Sequence, residues 1–326
     1  MPEPLLSVVI PTWNRVDDLL RTLEVLSTHE GPSFEVIVVD NASTDGTAER
    51  VRALFPDVRL IRLDENLGPT GGRNIGVKEA LADFVVLIDS DAEPQVGAFS
   101  AIYRRLSGDP KLAAVNALQI DGVTGQPWWW WDAYGYPEVE FLHQEFETAF
   151  KIEEGAAGIR RSVYNEVGGF DARFFWAVEG RDMAARVVGA GYSIRYCPEV
   201  KFLHRPNSHR PASNPVYQMK GRLYYEFRNE FWYTWKYFPV MWALAKTLHN
   251  MATNLVTASR EGAIRSYIRG YWDGLRGLGW VLKERQPLPK ALLHRVVSRA
   301  NWRWLGAPPV EERKPEERSK LEESIP

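Results

Sequence analysis

An apolar segment that leads directly into two aspartates constrains the fold of this chain more than any other feature. Residues 84–88, with the sequence FVVLI, are typical of a strand inside a parallel sheet that is covered on both faces. Because an unpaired carboxylate is very costly to bury, we expect Asp89 and Asp91 where this strand emerges, at its carboxyl end. Open α/β sheets bind their ligands at that edge. Two carboxylates there can hold a divalent cation and, through it, phosphate oxygens.

Strand-like and helix-like segments alternate over the first 120 residues. Apolar periodicity and turn residues predict strands at 6–10, 34–39, 58–63 and 84–88, and helices at 16–26, 48–54 and 71–81. This alternation predicts an α/β fold whose parallel strands are joined by right-handed crossovers. The polar residues 12–15 follow the first strand and Asp40 follows the second, so they are predicted at the same sheet edge as Asp89 and Asp91.

Composition limits the possible partners and the compartment. A formal net charge of −2 gives no case for nucleic acid as the main partner. The segment 219–306 is different, with 15 basic and 5 acidic residues and seven of the 13 tryptophans. A single cysteine, Cys197, excludes an intrachain disulfide and fits a reducing compartment. We find no signal peptide and no apolar run of about 18 residues, which favours a cytoplasmic protein or one on the inner face of a membrane.

A segment rich in Pro, Asn and Ser, 205–215, marks a predicted domain edge. Beyond it, apolar residues recur at helical spacing over 223–235 and again over 264–282. We therefore predict a catalytic domain at 1–205, a basic, Trp-rich amphipathic helical region at 206–306 and a charged, disordered tail at 307–326. The helical region has two interpretations: contact with an anionic membrane surface, or packing on the catalytic domain or another subunit.

Six motifs, in order over about residues 5–205, resemble glycosyltransferase family 2. They are SVVIPTWNR at 7–15, VVDNASTDGT at 38–47, NLG at 66–68 with GRNIG at 72–76, DSD at 89–91, GGFD at 168–171, and the segment 191–204 from Gly-Tyr to His. The resemblance implies a GT-A fold, which is a Rossmann-like, mostly parallel sheet flanked by helices. It also implies a nucleotide-sugar donor, a Mn²⁺ or Mg²⁺ cofactor and, usually, inversion at the anomeric carbon.

The resemblance assigns donor binding to residues at the strand ends and to one arginine just after the Gly-rich loop: Pro11, Thr12, Asn14, Arg15, Asp40, Asp89 and Ser90, with Arg73. Among these, Asp40 would face the nucleobase, Arg73 the diphosphate and Asp89 the ribose. Asp91 is the implied metal ligand, and His204 matches a histidine that completes the metal site in some relatives. An imidazole ligand suits Mn²⁺ better than Mg²⁺. The alternative for His204 is a packing or surface histidine.

Inverting transfer needs a base that deprotonates the acceptor hydroxyl. The family usually supplies it from a Glu-Asp-x-Asp cluster, and the matching sequence here is Glu-Gly-Arg-Asp at 179–182. The second acidic position is therefore Gly180. We predict Glu179 as the base, with Asp182 supporting it or forming an ion pair with Arg186.

Candidate acceptor contacts lie in two further segments. Four tryptophans occupy 128–131, and Trp129 and Trp130 would cover a sugar or lipid, since aromatic faces suit both; the alternative is a place in the core or over an apolar seam. Gly158 closes the sequence GAAG at 155–158, which permits a close backbone approach to a ligand but serves packing equally well.

Together these features predict a hexosyl- or deoxyhexosyl-transferase in surface polysaccharide or glycolipid synthesis. Its expected partners are a nucleoside-diphosphate-sugar, a glycan or lipid-linked acceptor and an anionic membrane surface, and the sequence does not specify an oligomeric state. One alternative is a nucleotidyltransferase, which needs a Gly-rich phosphate loop directly after the first strand, where this chain has PTWN. Another is a non-catalytic carbohydrate- or membrane-binding relative, against which the retention of Asp40, Arg73, Asp89 and Asp91 argues.

Overall fold

The computed structural model describes residues 3–127, 143–205, 219–289 and 292–293. Its first part alternates strands and helices in the predicted order: β1 Leu6–Thr12, α1 Val16–Ser27, β2 Phe34–Asp40, α2 Thr47–Leu54, β3 Arg59–Arg62, α3 Gly68–Glu79 and β4 Phe84–Ile88. All four predicted strands and all three predicted helices are confirmed, with small differences at their ends. Periodicity located them well because each buries a continuous apolar face.

The second part of the catalytic sequence is less regular. Its elements are β5 Ala92–Pro94, α4 Ala98–Gly108, β6 Leu112–Asp121, β7 Phe146–Thr148, β8 Ala156–Arg160, α5 Arg161–Glu166, a short 3₁₀ helix Ala172–Phe174, α6 Glu179–Gly189 and β9 Ser193–His204. Strand β9 ends on His204, so this side chain lies at the carboxyl end of the strand.

The nine strands in the described ranges form one sheet in the order β3–β2–β1–β4–β8–β6–β9–β5, with β7 paired to β9. Strand β1 runs parallel to β2 and β4, and β2 runs parallel to β3. Strand β8 is antiparallel to both β4 and β6, and β5 is antiparallel to β9. The sheet is therefore parallel where the sequence alternates regularly and mixed beyond β4.

Apolar side chains cover both faces of the sheet. Val8 and Val86 pack in one layer with side chains of α1 and α4, whereas Val9 and Leu87 pack in the other with side chains of α3 and α6. This alternation follows from the two-residue period of a strand. Gly76 brings α3 close to β1, since a Cβ at that position would lie 2.3 Å from Val9 Cγ1.

Four helices follow the sheet: α7 Met219–Tyr237, α8 Val240–Arg260, α9 Ile264–Arg276 and α10 Leu278–Lys283. They confirm the helices that the apolar spacing predicts. Tyr233, Tyr237 and Phe238 join the buried layer that contains Val9 and Leu87, so the helical region packs directly on the sheet. No helix in the described part of the chain combines the length and the hydropathy that crossing a bilayer requires.

Candidate active site

A cleft of about 700 Å³ opens at the carboxyl ends of β1 and β4. Its walls come from the loop after β1, the start of α3, the loops before β5 and β8, the start of α6, and helices α7 and α8. A volume of this size suits a small-molecule ligand. Most of the predicted site residues line it: Pro11, Thr12, Arg15, Arg73, Asp89, Ser90, Asp91, Glu179 and His204.

Asp89, Asp91 and His204 converge on one wall of the cleft. One ligand atom from each of the three lies within 4.8 Å of the others. The pairing of β5 with β9 brings them together, because Ala92, the residue after Asp91, lies opposite His204. Two carboxylates and an imidazole are donors that bind divalent cations in proteins, so the side chains present fit such an ion.

Each of the two aspartates is bound to an arginine. Arg73 Nη2 lies 2.5 Å from Asp89 Oδ1, and Arg15 Nη2 lies 2.9 Å from Asp91 Oδ2. The other oxygen of Asp91 lies 3.3 Å from His204 Nε2. Burial alone would raise the pKa of Asp91, but His204 and Arg15 outweigh it and hold the pKa below its usual range. The carboxylate of Asp91 is therefore ionised at neutral pH.

A polar recess lies where β1 and β2 end. Thr12 is opposite Asp40 in the parallel register. Asp40 Oδ1 accepts a hydrogen bond from the Ser43 backbone N–H at 3.0 Å, and Asp40 Oδ2 lies 3.9 Å from Arg62 Nε. Within the described residues, Thr12 Oγ1 and Asp40 Oδ2 are buried and make no hydrogen bond. Asp40 is completely buried, and its neighbour Asn41 forms the adjoining cleft wall.

Asn14 and Ser90 hold segments of the site in place. Asn14 Oδ1 accepts from the Thr44 backbone N–H at 2.8 Å, which ties the loop after β1 to the loop after β2. Asn14 has φ 51°, a left-handed conformation that asparagine adopts more readily than most residues. It does not line the cleft. The Ser90 carbonyl accepts a hydrogen bond from Thr22 Oγ1 at 2.9 Å, which anchors the segment between the two aspartates to α1.

Glu179 is the first residue of α6 and lies on the inner wall of the cleft with 1% of its surface exposed. Burial and then the negative charge of Glu154 raise the pKa of Glu179 to about 8. At neutral pH its carboxyl group therefore holds a proton. Within the described residues, Glu179 Oε2 makes no hydrogen bond.

Asp182 lies outside the cleft, in a buried ionic network between α6 and α7. Its Oδ2 lies 2.7 Å from Arg186 Nη2, and its Oδ1 accepts from Lys236 Nζ at 2.9 Å and from the Tyr237 hydroxyl at 2.8 Å. Burial would raise the pKa of Asp182, but Arg186 and Lys236 outweigh it, and the net direction is downward. The predicted ion pair with Arg186 is present, and the structure does not bring Asp182 to the other site residues.

Gly158, one of the candidate acceptor contacts, does not line the cleft. Gly158 lies within β8, where a Cβ would be 2.3 Å from Ile102 Cγ2, so this glycine allows α4 to pack on the sheet. Gly155, in the same GAAG sequence, is the glycine that lines the cleft, and a Cβ there would lie 2.6 Å from Asp89 Oδ2. Trp129 and Trp130 lie outside the described residues.

The C-terminal helices form a cleft wall that the sequence reasoning missed. Glu230 of α7 lies 2.5 Å from Arg181 Nη1 and 2.8 Å from Lys246 Nζ of α8. Burial would raise the pKa of Glu230, but these two cations lower it to about 2. Asn250 and Asn254 follow Lys246 at four-residue steps and also line the cleft. The signal in the sequence was this row of polar residues on α8, a helix that is otherwise apolar. Polar groups are buried only where they find partners, so the row indicates a polar surrounding on that side of the helix.

The fold and the site define a GT-A glycosyltransferase. The mannosyltransferase PcManGT from Pyrobaculum calidifontis, solved with GDP-Man and Mn²⁺, superposes with a TM-score of 0.55 at 20% identity, over 87% of this chain and 84% of that one. GalNAc-T7, solved with UDP, GalNAc and Mn²⁺, superposes with a TM-score of 0.53 at 17% identity, over 68% of this chain and 48% of that one. At these identities the likeness shows the fold alone.

The family is shown by sequence. The model of glycosyl transferase family 2 matches residues 7–168. Glycosyltransferase AglE of Haloferax volcanii is 30% identical over 220 residues, which cover 62% of this chain and 67% of that protein. The N-acetylglucosaminyl-diphospho-decaprenol L-rhamnosyltransferase of Mycobacterium tuberculosis is 26% identical over 303 residues, 80% of this chain and 97% of that protein. The chain belongs to glycosyl transferase family 2, which confirms the predicted family, fold and enzyme class.

Proposed function

We propose that this glycosyltransferase moves a hexose or deoxyhexose, with inversion, from a nucleoside-diphosphate-sugar to a lipid-linked or glycan acceptor. The observation that carries the proposal is the convergence of Asp89, Asp91 and His204 in a cleft beside the polar ends of β1 and β2. This arrangement offers a cation site for a diphosphate and, next to it, a recess for a nucleobase. Synthesis of a surface polysaccharide or glycolipid is the proposed setting.

The nucleobase is proposed to bind at the ends of β1 and β2. Asp40 Oδ2 and Thr12 Oγ1 are buried polar atoms that make no hydrogen bond among the residues described, and a bound base can satisfy them. A carboxylate accepts a charge-assisted hydrogen bond from the imide N–H of a pyrimidine. Asp89 is proposed to contact the ribose, with Arg73 holding its carboxylate in place.

Asp91 and His204, with Asp89 beside them, would hold the divalent cation, for which we propose Mn²⁺ over Mg²⁺ because of the imidazole ligand. When bound, such an ion supplies Lewis-acid stabilisation to the departing nucleoside diphosphate. The chain contributes the positioning of the ligands. Arg15 fixes one oxygen of Asp91, and the strand pairing at Ala92 fixes His204.

The acceptor is proposed to be lipid-linked and to enter along α8. The rhamnosyltransferase relative is named for a decaprenol-linked diphospho-sugar acceptor. In this chain α8 brings Lys246, Asn250 and Asn254 to the cleft wall while it exposes an apolar stripe on its outer side. One helix therefore links the cleft to a surface suited to lipid.

We propose that this surface places the protein peripherally on the inner face of the cell membrane. Most of the large apolar side chains that are exposed in the described ranges lie on α8, α9 and α10, with Met241 73%, Leu248 68% and Trp272 60% exposed. Exposed cations accompany the stripe on α9 and α10: Arg265, Arg269, Arg276 and Lys283. An apolar stripe with adjacent cations suits the interface of an anionic membrane.

Donor binding and turnover test the proposed reaction. UDP-glucose, UDP-N-acetylglucosamine, GDP-mannose and dTDP-L-rhamnose would be screened by thermal shift with and without Mn²⁺, because the correct donor stabilises the folded state by mass action. Transfer would then be measured to a synthetic polyprenyl-diphospho-N-acetylglucosamine. Asp91→Asn should lose turnover, whereas Asp83→Asn, a side chain 91% exposed, should keep it. Equal nucleoside diphosphate release by both variants would contradict the cation site.

Co-sedimentation with vesicles tests the membrane surface. The protein should bind vesicles that contain phosphatidylglycerol more strongly than pure phosphatidylcholine vesicles. Leu248→Glu and Trp272→Glu should each weaken binding by about tenfold or more, because burying one large apolar side chain contributes roughly 1.5–3 kcal/mol. Val96→Glu, at a residue 95% exposed on the sheet domain, is the matched control. Binding that is insensitive to both helix variants would refute this surface.

A further inference from the structure

The carboxylate of Glu154 occupies the space that a side chain at position 180 would need. A Cβ on Gly180 would lie 2.3 Å from the Ile152 carbonyl oxygen and 2.4 Å from Glu154 Oε2. The backbone cannot easily move apart, because Ile152 N–H donates to the Gly180 carbonyl at 3.1 Å. Glycine at 180 and glutamate at 154 are therefore mutually fitted, and an acidic group lies beside Gly180 although that residue has no side chain.

Glu154 is turned toward the cleft. It lines the wall between Glu153 and Gly155 and is partly exposed. In the part of the chain that the structure covers, Glu154 Oε2 is buried and makes no hydrogen bond. The preceding residue, Glu153, differs because its Oε2 lies 3.0 Å from Lys151 Nζ and only 2% of its surface is exposed. Glu154 is thus the better placed of the two to reach a ligand.

Glu154 and Glu179 form a pair of neighbouring carboxyl groups that both line the cleft. Burial and the charge of Glu154 raise the pKa of Glu179, so the proton resides on the deeper group. Glu154 is the less buried of the two and faces the cleft. A general base must be ionised and within reach of the proton that it removes. Of the two glutamates, Glu154 is the one that is partly exposed at the cleft, whereas the raised pKa of Glu179 disfavours its ionised form.

We propose that Glu154 is the catalytic base of the transfer and that Glu179 is a positioning residue beside it, an inference that rests on the proposed function. The acceptor hydroxyl oxygen forms a bond to the anomeric carbon of the donor. The bond from that carbon to the phosphate oxygen breaks, and its electron pair leaves with the nucleoside diphosphate. The hydroxyl proton passes to the carboxylate of Glu154. The base therefore comes from the segment before β8 and not from α6.

Three matched amide variants test this assignment with the donor and acceptor panel given above. Glu154→Gln should lower kcat by about 10²- to 10⁴-fold, as expected for loss of a general base. Its dissociation constant for the donor should change by less than about threefold, because the lost contribution belongs to the transition state. Glu179→Gln should retain more activity than Glu154→Gln. Glu166→Gln, at an exposed glutamate on α5, should match the wild-type protein.

Chemical rescue separates a base from a structural residue. Sodium formate or azide should restore part of the kcat of Glu154→Ala, because a small anion can enter the vacated space and accept the proton. No rescue, or a Glu154→Gln kcat within about tenfold of wild type, would overturn the assignment. Loss of activity in Glu179→Gln alone would move the base to Glu179. Absence of turnover by the wild-type protein with the whole panel would instead refute the proposed reaction, and the base assignment with it.

Discussion

His204 Nε2 lies 3.3 Å from Asp91 Oδ1, although the two residues belong to distant parts of the catalytic sequence. They meet because the three-residue strand β5 pairs antiparallel with the end of β9, so that Ala92 lies opposite His204. The candidate cation site is thus assembled by strand pairing across the sheet edge. Its third ligand depends on the correct register of β5 against β9.

Replacing His204 should weaken metal binding. We expect His204→Ala to reduce the affinity for Mn²⁺ by at least about tenfold, because even residues that only orient ligands have effects of this size. Burial lowers the pKa of His204, but Asp91 raises it by more, so the net direction is upward. Protons therefore compete with Mn²⁺, and wild-type affinity should decrease as the solution is acidified, more steeply than in His204→Ala.

Calorimetric titration with Mn²⁺ alone at several pH values measures both effects. His143→Ala, at an exposed histidine, is the control and should bind as the wild type does. Unchanged affinity in His204→Ala would remove this residue from the ligand set.

Asp182→Asn should destabilise the fold. The variant removes the completely buried carboxylate that pairs with Arg186 and Lys236, and it leaves Lys236 only the more distant Asp171, at 3.6 Å. Breaking one partner of such a pair costs about 3–5 kcal/mol of unfolding free energy. Asp17→Asn, whose side chain is 77% exposed beside Arg50, should cost less than about 1 kcal/mol. Urea unfolding measures both values, and a fully stable but inactive Asp182→Asn would favour a role in the reaction instead.

Glu179→Gln should be more stable than the wild type in alkaline solution. Because the pKa of Glu179 is raised from 4.5 to about 8, the folded protein holds a proton that the unfolded chain has lost between these values. In that window the group lowers wild-type stability by about 1.4 kcal/mol for each unit of rising pH. The stability difference between variant and wild type should therefore be largest above about pH 8 and absent below about pH 4.5.

Urea unfolding at a series of pH values follows this difference. Repeating the series in Glu154→Gln separates the two causes of the raised pKa, since that variant removes the nearby charge but not the burial. In the Glu154→Gln background, the stability difference that Glu179→Gln causes should be smaller. The same effect in both backgrounds would show that the two carboxylates are not coupled.

Gly76→Ala should destabilise the contact between α3 and β1. Its Cβ would lie 2.3 Å from Val9 Cγ1 and 3.3 Å from Val39 Cγ2, both in the packed core. Overpacking of this kind costs about 1–3 kcal/mol. Gly108→Ala, at the last residue of α4 with no atom within 4 Å of its Cβ, should change stability by less than about 1 kcal/mol. Thermal unfolding distinguishes them, and equal midpoints would contradict the close approach.

Local sequence was sufficient to predict the parallel part of the sheet and its ligand-binding edge. The apolar period marks which residues are buried, and polar residues that follow it, such as Thr12 and Asp89, lie at the strand ends and line the cleft. The antiparallel additions beyond β4 were not predicted. They depend on pairings between segments far apart in the chain, which leave no periodic signal.

Local sequence was also insufficient to predict the ion-pair partners of the arginines. Arg73 lines the cleft, and the contact with the diphosphate stays a prediction; in the structure its guanidinium binds Asp89, as Arg15 binds Asp91. A motif identifies a charged side chain near a site but not its nearest partner, because that depends on distances set by packing.

The difference between what the sequence predicts and what the tertiary structure decides is clearest among the acidic residues. The sequence predicted that Asp89 and Asp91 lie at the ligand-binding edge of the sheet, because an apolar strand has to end before a carboxylate can be tolerated. The sequence alone could not assign different roles to Glu154, Glu179 and Asp182. Packing does so: Lys236 and Tyr237 of α7 and Arg186 of α6 bind Asp182, while the backbone of Gly180 leaves room for the Glu154 carboxylate beside Glu179. Burial and neighbouring charge set the protonation state of a carboxyl group, and both arise only when the chain is folded.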